Sequence, residues 1–265
     1  MSDLNQTETK IHPTAVIDPR AKIGLGVEIG PYVVVGPEVE IGPGTIIKPN
    51  SVIEGWTTIG RDNVIGPLVS MGAAPQDLKY KGERTHLIIG DRNVIRENAT
   101  LHAGTVTGHG ETMVGNDCLL MVGVHIAHDC VLGDGVIIAN ATHLGGHVEV
   151  HDHAVIGALA GIHQFTRIGS VAMVAAKAGV PMDVPPYTIA GGDRASLFGL
   201  NRVGMERVGI GKETRADLRK AYRILFQSAL KLSEAIEKVR AEVPASKEVD
   251  ILLKFLENSK RGILR

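Results

Sequence analysis

Aliphatic residues recur at every sixth position from Ile11 onward: Ile11, Ile17, Ile23, Ile29, Val35, Ile41, Ile47, Ile53, Ile59 and Ile65. The beat returns at Ile89, Ile95 and Leu101 and then slips by one residue. From Val114 it runs unbroken through Leu120, Ile126, Leu132, Ile138, Leu144, Val150, Ile156, Ile162, Ile168 and Val174 to Val180. Two places ahead of each stands a small or β-branched residue, as at Ala15, Ala21, Val27, Val33, Val39 and Thr45, and later Cys118, Val124, Cys130 and Val136. A period of six matches neither a helix nor a simple alternating strand. It predicts a two-sided unit in which each hexad is a short strand plus a tight corner. One large and one small side chain point inward, and Gly or Asn takes the awkward corner angles. Three hexads close a triangular rung of 18 residues, and stacked rungs bury a continuous aliphatic column.

This pattern resembles the hexapeptide-repeat proteins. The resemblance implies a left-handed parallel β-helix, an exception to the usual right-handed crossover, and a homotrimer. Two interruptions stand out. Gly72 to Ile88 breaks the pattern, yet Met71 and Ile89 are 18 apart, so a loop of one rung's length is expected to bulge from a corner. A second slip crosses Thr107 to Met113. Loops on a regular scaffold are where function tends to sit.

Beyond about Gly191 the character changes. Lys212 to Gln227, Leu232 to Val243 and Ser246 to Ser259 predict amphipathic helices, the last two separated by Pro244. The fold expected is therefore mainly β, with a β-helix domain over 1–190 and a small helical domain over 191–265. Charge divides the same way. Ser196 to Arg265 carries 15 Lys+Arg and 9 Asp+Glu, a net of +6, whereas the rest carries 13 and 20, a net of −7.

Composition narrows the core and the setting. Aromatics are only 3% against 32 glycines, which implies a narrow interior filled by small and aliphatic side chains. A net charge of −1 argues against a general nucleic-acid binder. Met1 to Lys10 is polar without an apolar signal core, and no uncharged apolar run reaches spanning length, so no membrane span and a cytoplasmic location are expected. Cys118 and Cys130 are too few for a disulfide framework or a cysteine zinc site, and both occupy small inward positions as core residues.

Chemistry is concentrated in the histidines. Those at 125, 128, 143, 147 and 163 fall in two or three neighbouring rungs. Residues 18 apart stack, so Gly146 and Gln164 lie over His128, His143 over His125, and His147 over Asp129. Folding alone does not call for this density of imidazole at a corner. The zinc sites of γ-class carbonic anhydrases need histidines two rungs apart, but the residue 36 beyond His128 is Gln164, so no metal is expected. His12, His86, His102, His109, His151 and His153 read as structural or solvated.

The segment His125-Ile126-Ala127-His128-Asp129 closely resembles the UDP-N-acetylglucosamine acyltransferases. So do the loop Gln76-Asp77-Leu78-Lys79-Tyr80, the stretches Leu144-Gly145-Gly146-His147 and His163-Gln164-Phe165, Asp183-Val184-Pro185-Pro186-Tyr187, and the terminal Arg261-Gly262-Ile263-Leu264-Arg265. The resemblance covers nearly the whole chain. It implies transfer of a 3-hydroxyacyl chain from acyl carrier protein to the sugar of UDP-N-acetylglucosamine, the first step of lipid A synthesis, without metal or cofactor. It makes His128 the general base, with Asp129 holding its ring and the Gly146 N–H meeting the oxyanion. It assigns substrate binding to Gln76, Asp77, Lys79, His125, His147, His163, Gln164, Asn201 and Arg207, and acyl-chain length to Ala176. The chain departs from the family at Val208, where a second arginine is frequent, and at Ala176, where glycine also occurs. N-acylation of a 3-amino sugar or of a later lipid A precursor is the nearest alternative. A metal-dependent hydratase and a non-catalytic scaffold are alternatives of another class.

Overall fold

The computed structural model describes residues 8–265; residues 1–7, most of the polar stretch that lacks a signal core, lie outside them. Strands of mostly two residues turn through three parallel sheets, which form the faces of a prism. The first face begins with Lys10–Ile11, the second with Val16–Ile17 and the third with Lys22–Ile23. Register is set by the aliphatic beat: Ile11 pairs with Ile29, Ile47 with Ile65, and Ile138 with Ile156. Each pairing places one aliphatic side chain on the next, roughly 4.8 Å apart. The parallel β-helix expected from the hexads, with the left hand that the family resemblance implies, is thus the architecture observed. Its axis is a single dry column in which Ile47, Ile65, Ile95, Leu120, Ile126 and Ile156 are essentially inaccessible to solvent.

The small inward positions carry more polarity than the beat suggests. Asn63 and Asn93 are fully buried there. The Asn63 side-chain oxygen accepts from the Asn93 N–H (2.9 Å), and that of Asn93 accepts from the Cys118 N–H (2.8 Å), so each amide bridges two rungs. Cys118 and Cys130 are buried free thiols. Burial pushes them up to about 11 and about 12, so they remain protonated core residues.

Corners depart from expectation. Sixteen non-glycine residues among those described have positive φ, including Leu68, Leu159, Phe165 and Val171, and only two are Asn. Left-handed backbone costs an L residue on the order of 1 kcal/mol, and the ladder bonds on both sides of each corner hold it there. The first interruption is the loop expected to bulge from a corner, but it adds 12 residues to the 18 of a rung (Ile59 to Ile89 spans 30) and not a whole rung. Ile59 pairs directly with Ile89 and Met71 with Leu101, so the extra residues form one long loop between the second and third faces. The second interruption enters between the same two faces, with Ile89 paired to Val114.

At the far end the hairpin Thr188–Gly191 with Ser196–Leu200 extends the first face. Four helices follow: α1 (Arg202–Arg207), α2 (Lys212–Phe226), α3 (Leu232–Glu242) and α4 (Lys247–Glu257). The three longer ones match the amphipathic stretches. The short α1 has no such stripe and is started by Asn201, whose side chain accepts from the Gly204 N–H. Leu218, Leu225, Ile236, Val239, Leu252 and Leu256 form a second core. Arg167 ties the two bodies together. It donates to the buried Asp183 at 2.7 Å and to the Phe255 carbonyl, and it lies 4.2 Å from the Phe255 ring centroid. No helix among the described residues is long and apolar enough to cross a membrane.

Candidate active site

The edge of the prism between the second and third faces carries both long loops and the corners at 127–130, 145–148 and 163–166. His128 and Asp129 sit side by side in one of these corners, because Asp129 takes the left-handed conformation (φ 59°). The His128 Nδ1 is 2.8 Å from Asp129 Oδ2. The carboxylate is fully enclosed. Its Oδ2 also accepts from the Thr105 hydroxyl (2.7 Å), and Oδ1 from the Thr105 N–H (3.0 Å) and His109 Nδ1 (3.3 Å). Gly108 permits this approach, since a Cβ there would run into the Asp129 carboxylate.

Burial works to raise the Asp129 carboxyl, but the hydrogen bonds from Thr105 and then His128 outweigh it and hold the group below its ordinary value. Asp129 is therefore ionised at neutral pH, and a carboxylate can only accept. The shared proton must belong to His128 Nδ1, and in the neutral form of the ring the lone pair is then on Nε2. Gly146 lies one rung on. A Cβ at that position would stand 2.6 Å from His128 Cε1 and 2.7 Å from Nε2. Its φ is not positive, so glycine is required there for space and not for backbone freedom. Among the described residues its N–H donates to no other group, whereas in the equivalent place at Asn116 and Asp134 the N–H donates to an aspartate of the next rung.

The other histidines divide into two rows. At the corner, His147 meets His128 edge-on (5.1 Å between centroids) and stacks on Phe165 (4.4 Å). Burial first, then neighbouring imidazoles, keeps His147 below the ordinary histidine value, although Asp129 and Asp77 act the other way. On the second face His102, His125 and His143 form a ladder. His125 is bonded through Nδ1 to the Thr100 hydroxyl at 2.8 Å. Burial, with help from the adjacent imidazoles, lowers it to about 4, so it is a neutral group at working pH.

Not all the expected site residues meet here. Asp77 is on the long loop, where its carboxylate accepts from the Lys79 N–H, and Gln76 and Lys79 are exposed beside it. His163 and Gln164 are exposed in the next corner along the same edge. Asn201, by contrast, is buried with both ends of its amide engaged, by the Gly204 N–H and the Val171 carbonyl. Arg207 is exposed at the end of α1. Ala176 is exposed in a corner between the first and second faces, on a different edge of the prism. Two residues bonded to the Asp129 carboxylate escape sequence reasoning: Thr105, and His109, which on sequence grounds reads as structural or solvated. Both lie where the repeat is interrupted, so no register arithmetic locates them.

Among the described residues His128, Asp129 and His147 form the one grouping whose ligand atoms lie close enough to hold a cation. The donor set does not suit one. Both carboxylate oxygens already receive hydrogen bonds from Thr105, and His128 Nδ1 is hydrogen-bonded to the carboxylate, whereas zinc needs bare lone pairs at about 2.0–2.2 Å. Next to this corner a cleft of about 790 Å³ runs from Thr107, His109, Asp129 and Phe165 to the C-terminal Lys260 and Arg261.

Comparison with known proteins agrees with this architecture. Residues 38–73 and 111–146 match the bacterial transferase hexapeptide model (six repeats), and 183–264 match that of Udp N-acetylglucosamine O-acyltransferase, domain 2. The "Acyl-[acyl-carrier-protein]--UDP-N-acetylglucosamine O-acyltransferase" of Myxococcus xanthus is 52% identical over 97% of this chain and 99% of its own length. That of Trichlorobacter lovleyi is 53% identical over 96% and 99%. Among solved structures, LpxA from Acinetobacter baumannii superposes with a TM-score of 0.94 at 46% identity, covering 96% of this chain and 99% of that one. The UDP-N-acetylglucosamine acyltransferase of Bacteroides fragilis does so at 0.94 and 45%, covering 96% and 100%. With half its residues shared along nearly its whole length, and with the same coil, this chain belongs to the UDP-N-acetylglucosamine O-acyltransferase family.

Proposed function

We propose that the chain moves a (3R)-3-hydroxyacyl group from acyl carrier protein to the 3-hydroxyl of UDP-N-acetylglucosamine, the step that opens lipid A synthesis, as a homotrimer in the cytoplasm. The observation that carries the chemistry is the ring of His128, bonded through Nδ1 to a buried carboxylate and closely packed against the backbone of Gly146. Imidazole can take a proton near neutrality and return it within one turnover. His128 Nε2 takes the proton of the sugar hydroxyl as its oxygen attacks the thioester carbonyl. Asp129 stabilises the imidazolium, and the Gly146 N–H meets the oxyanion. Collapse breaks the C–S bond, and His128 returns the proton to the leaving thiolate. Every atom and charge is accounted for without a covalent enzyme intermediate or a metal.

Gln76, Asp77, Lys79, His147, His163 and Gln164 line the acceptor and thioester side of this edge, with His125 beside it on the second face. Asn201 supports α1, which carries Arg207 toward the charged part of a substrate. Exposed apolar side chains at Leu159 and Phe165 give the trimer a surface to bury. The test is His128→Ala, assayed with carrier-bound 3-hydroxyacyl thioester and UDP-N-acetylglucosamine. Turnover falls on the order of a hundredfold or more, while the trimer stays folded. Activity within tenfold of the parent ends the assignment.

A further inference from the structure

The second inserted loop turns back onto the Asp129 carboxylate through one residue. Thr105 is buried at the start of that loop. Both of its donors end on Asp129, the N–H on Oδ1 at 3.0 Å and the hydroxyl on Oδ2 at 2.7 Å. The direction of the second bond is fixed, because an ionised carboxylate only accepts and the single hydroxyl hydrogen of Thr105 must go to it. The lone pairs of Thr105 Oγ1 then accept from the Gly108 N–H at 3.1 Å and from the Thr107 hydroxyl at 3.1 Å. The Gly108 N–H is shared with the Thr105 carbonyl, also at 3.1 Å. The loop closes around the Thr105 side chain and aims it at one acceptor.

A carboxylate needs such a clamp. Its terminal torsion is broad and roughly two-fold, so it has no stiff rotamer to set its plane. The Thr112 hydroxyl accepts from the Asp129 N–H at 2.9 Å, which holds the backbone of the corner but not the side chain. His109 touches Oδ1 at 3.3 Å from a half-exposed position, and His128 is the group being held. Among the described residues only Thr105 bonds to both oxygens. Burial works to raise the carboxyl, and the hydroxyl and N–H of Thr105 lead the bonds that outweigh it. We propose that Thr105 is a positioning residue for acyl transfer: its hydroxyl fixes the plane of the Asp129 carboxylate, and the carboxylate in turn fixes the ring of His128 for proton transfer. The inference rests on the reading of His128 as the general base.

The experiment compares Thr105→Val, which keeps the shape and the backbone bond but loses the hydroxyl, with Thr105→Ser, which keeps the hydroxyl. Kinetics with carrier-bound thioester and UDP-N-acetylglucosamine are measured across pH, and calorimetric titration with UDP-N-acetylglucosamine reports whether the site is intact. In Thr105→Val kcat falls about thirtyfold, within the range that misplacing a catalytic group produces, while KM and the titrated Kd stay close to those of the parent. The acid limb of kcat moves to higher pH. A carboxylate with one donor fewer holds its own proton more tightly and, while ionised, holds the His128 imidazolium more tightly. The other titratable groups around it are unchanged in both variants: His109, His128 and His147, with Asp77 acting on His147 and Glu149 in the same cleft. Thr105→Ser restores kcat and the parent pH profile. Parent kcat in Thr105→Val overturns the inference, and so does a Thr105→Ser enzyme as slow as Thr105→Val. A Thr105→Val protein that loses nucleotide-sugar binding together with turnover shows a merely structural role and overturns it as well. His128→Ala, run alongside, separates the two claims. If it is inactive while Thr105→Val is fully active, only the positioning role fails; if it is active, the base itself fails and the inference with it.

Discussion

Replacing Asp129 by Asn removes a charge and two lone pairs while leaving the shape of the side chain. The buried carboxylate accepts four hydrogen bonds, two from Thr105 and one each from His128 and His109. An amide oxygen must stay opposite the Thr105 N–H, which cannot turn away, so the amide nitrogen is forced toward Thr105 Oγ1 and His128. The hydroxyl can rotate to accept. His128 can accept only by giving up its Nδ1 hydrogen, which moves the proton to Nε2 and removes the base from the reacting position. The folded protein keeps most of its contacts, so the thermal midpoint should move little. Turnover should fall on the order of a thousandfold, equivalent to about 4 kcal/mol of transition-state stabilisation. Continuous detection of the released thiol measures it. Because the Asp129 pKa is depressed, its contribution to stability is present above the ordinary carboxylate value of about 3.9. It is lost only as pH falls through the lower folded value. No pH near or above neutrality should therefore rescue the Asn variant. An Asp129→Asn enzyme within tenfold of the parent would refute the claim that the carboxylate sets the tautomer of His128.

Three further outcomes are expected. Gly146→Ala places a methyl 2.6 Å from His128 Cε1 and should cut turnover on the order of a hundredfold with little change in thermal midpoint, since φ is not strained; full activity would remove Gly146 from the site. The basic C-terminal region, net +6, should dock an acidic carrier, so the rate with carrier-bound donor should fall as salt rises while a short pantetheine thioester responds weakly; equal responses would show that the charge is only solvated surface. Ala176→Met should shift donor preference toward shorter acyl chains in a competition assay, each excluded methylene costing about 0.8 kcal/mol; an unchanged product distribution rules out a length-setting role.

The coil was legible because one physical demand repeats at fixed spacing. An aliphatic side chain must enter the column on every face, and stacking by 18 puts Gly146 beside His128 and His143 on His125 before any coordinates are known. The same demand says nothing about corners, where ladder bonds on both sides impose left-handed backbone on Leu68 or Val171 as readily as on Asn. It also says little about the small inward positions, where Asn63 and Asn93 bury their amides by bonding to the rungs around them. Thr105 and His109 were invisible for a different reason. They lie in an insertion, and proximity there depends on how a loop folds back, which no periodicity encodes. Arg261 is the extreme case, since the tail that brings its guanidinium against the His163 ring crosses from the helical region with no pattern to announce the return.

Counting strands extracts more from the sequence than counting residues. Assigning faces in rotation from Ile11 puts Met71 on the second face and Ile89 on the third, and Leu101 and Val114 on the same two. Both insertions therefore open at one edge, the edge that carries His128, His147 and Phe165. A β-helix corner is too shallow to enclose a substrate, and two loops raised along a single edge supply the missing wall. Ala176 lies on another edge and Arg207 beyond the end of the coil, so neither shares a wall with His128 within one chain. If both act on the same substrate as His128, they reach it from a neighbouring copy. The proposed trimer would then be required for the chemistry as well as for burying apolar surface, and dissociated chains should lose acyl transfer even with the His128–Asp129 couple intact.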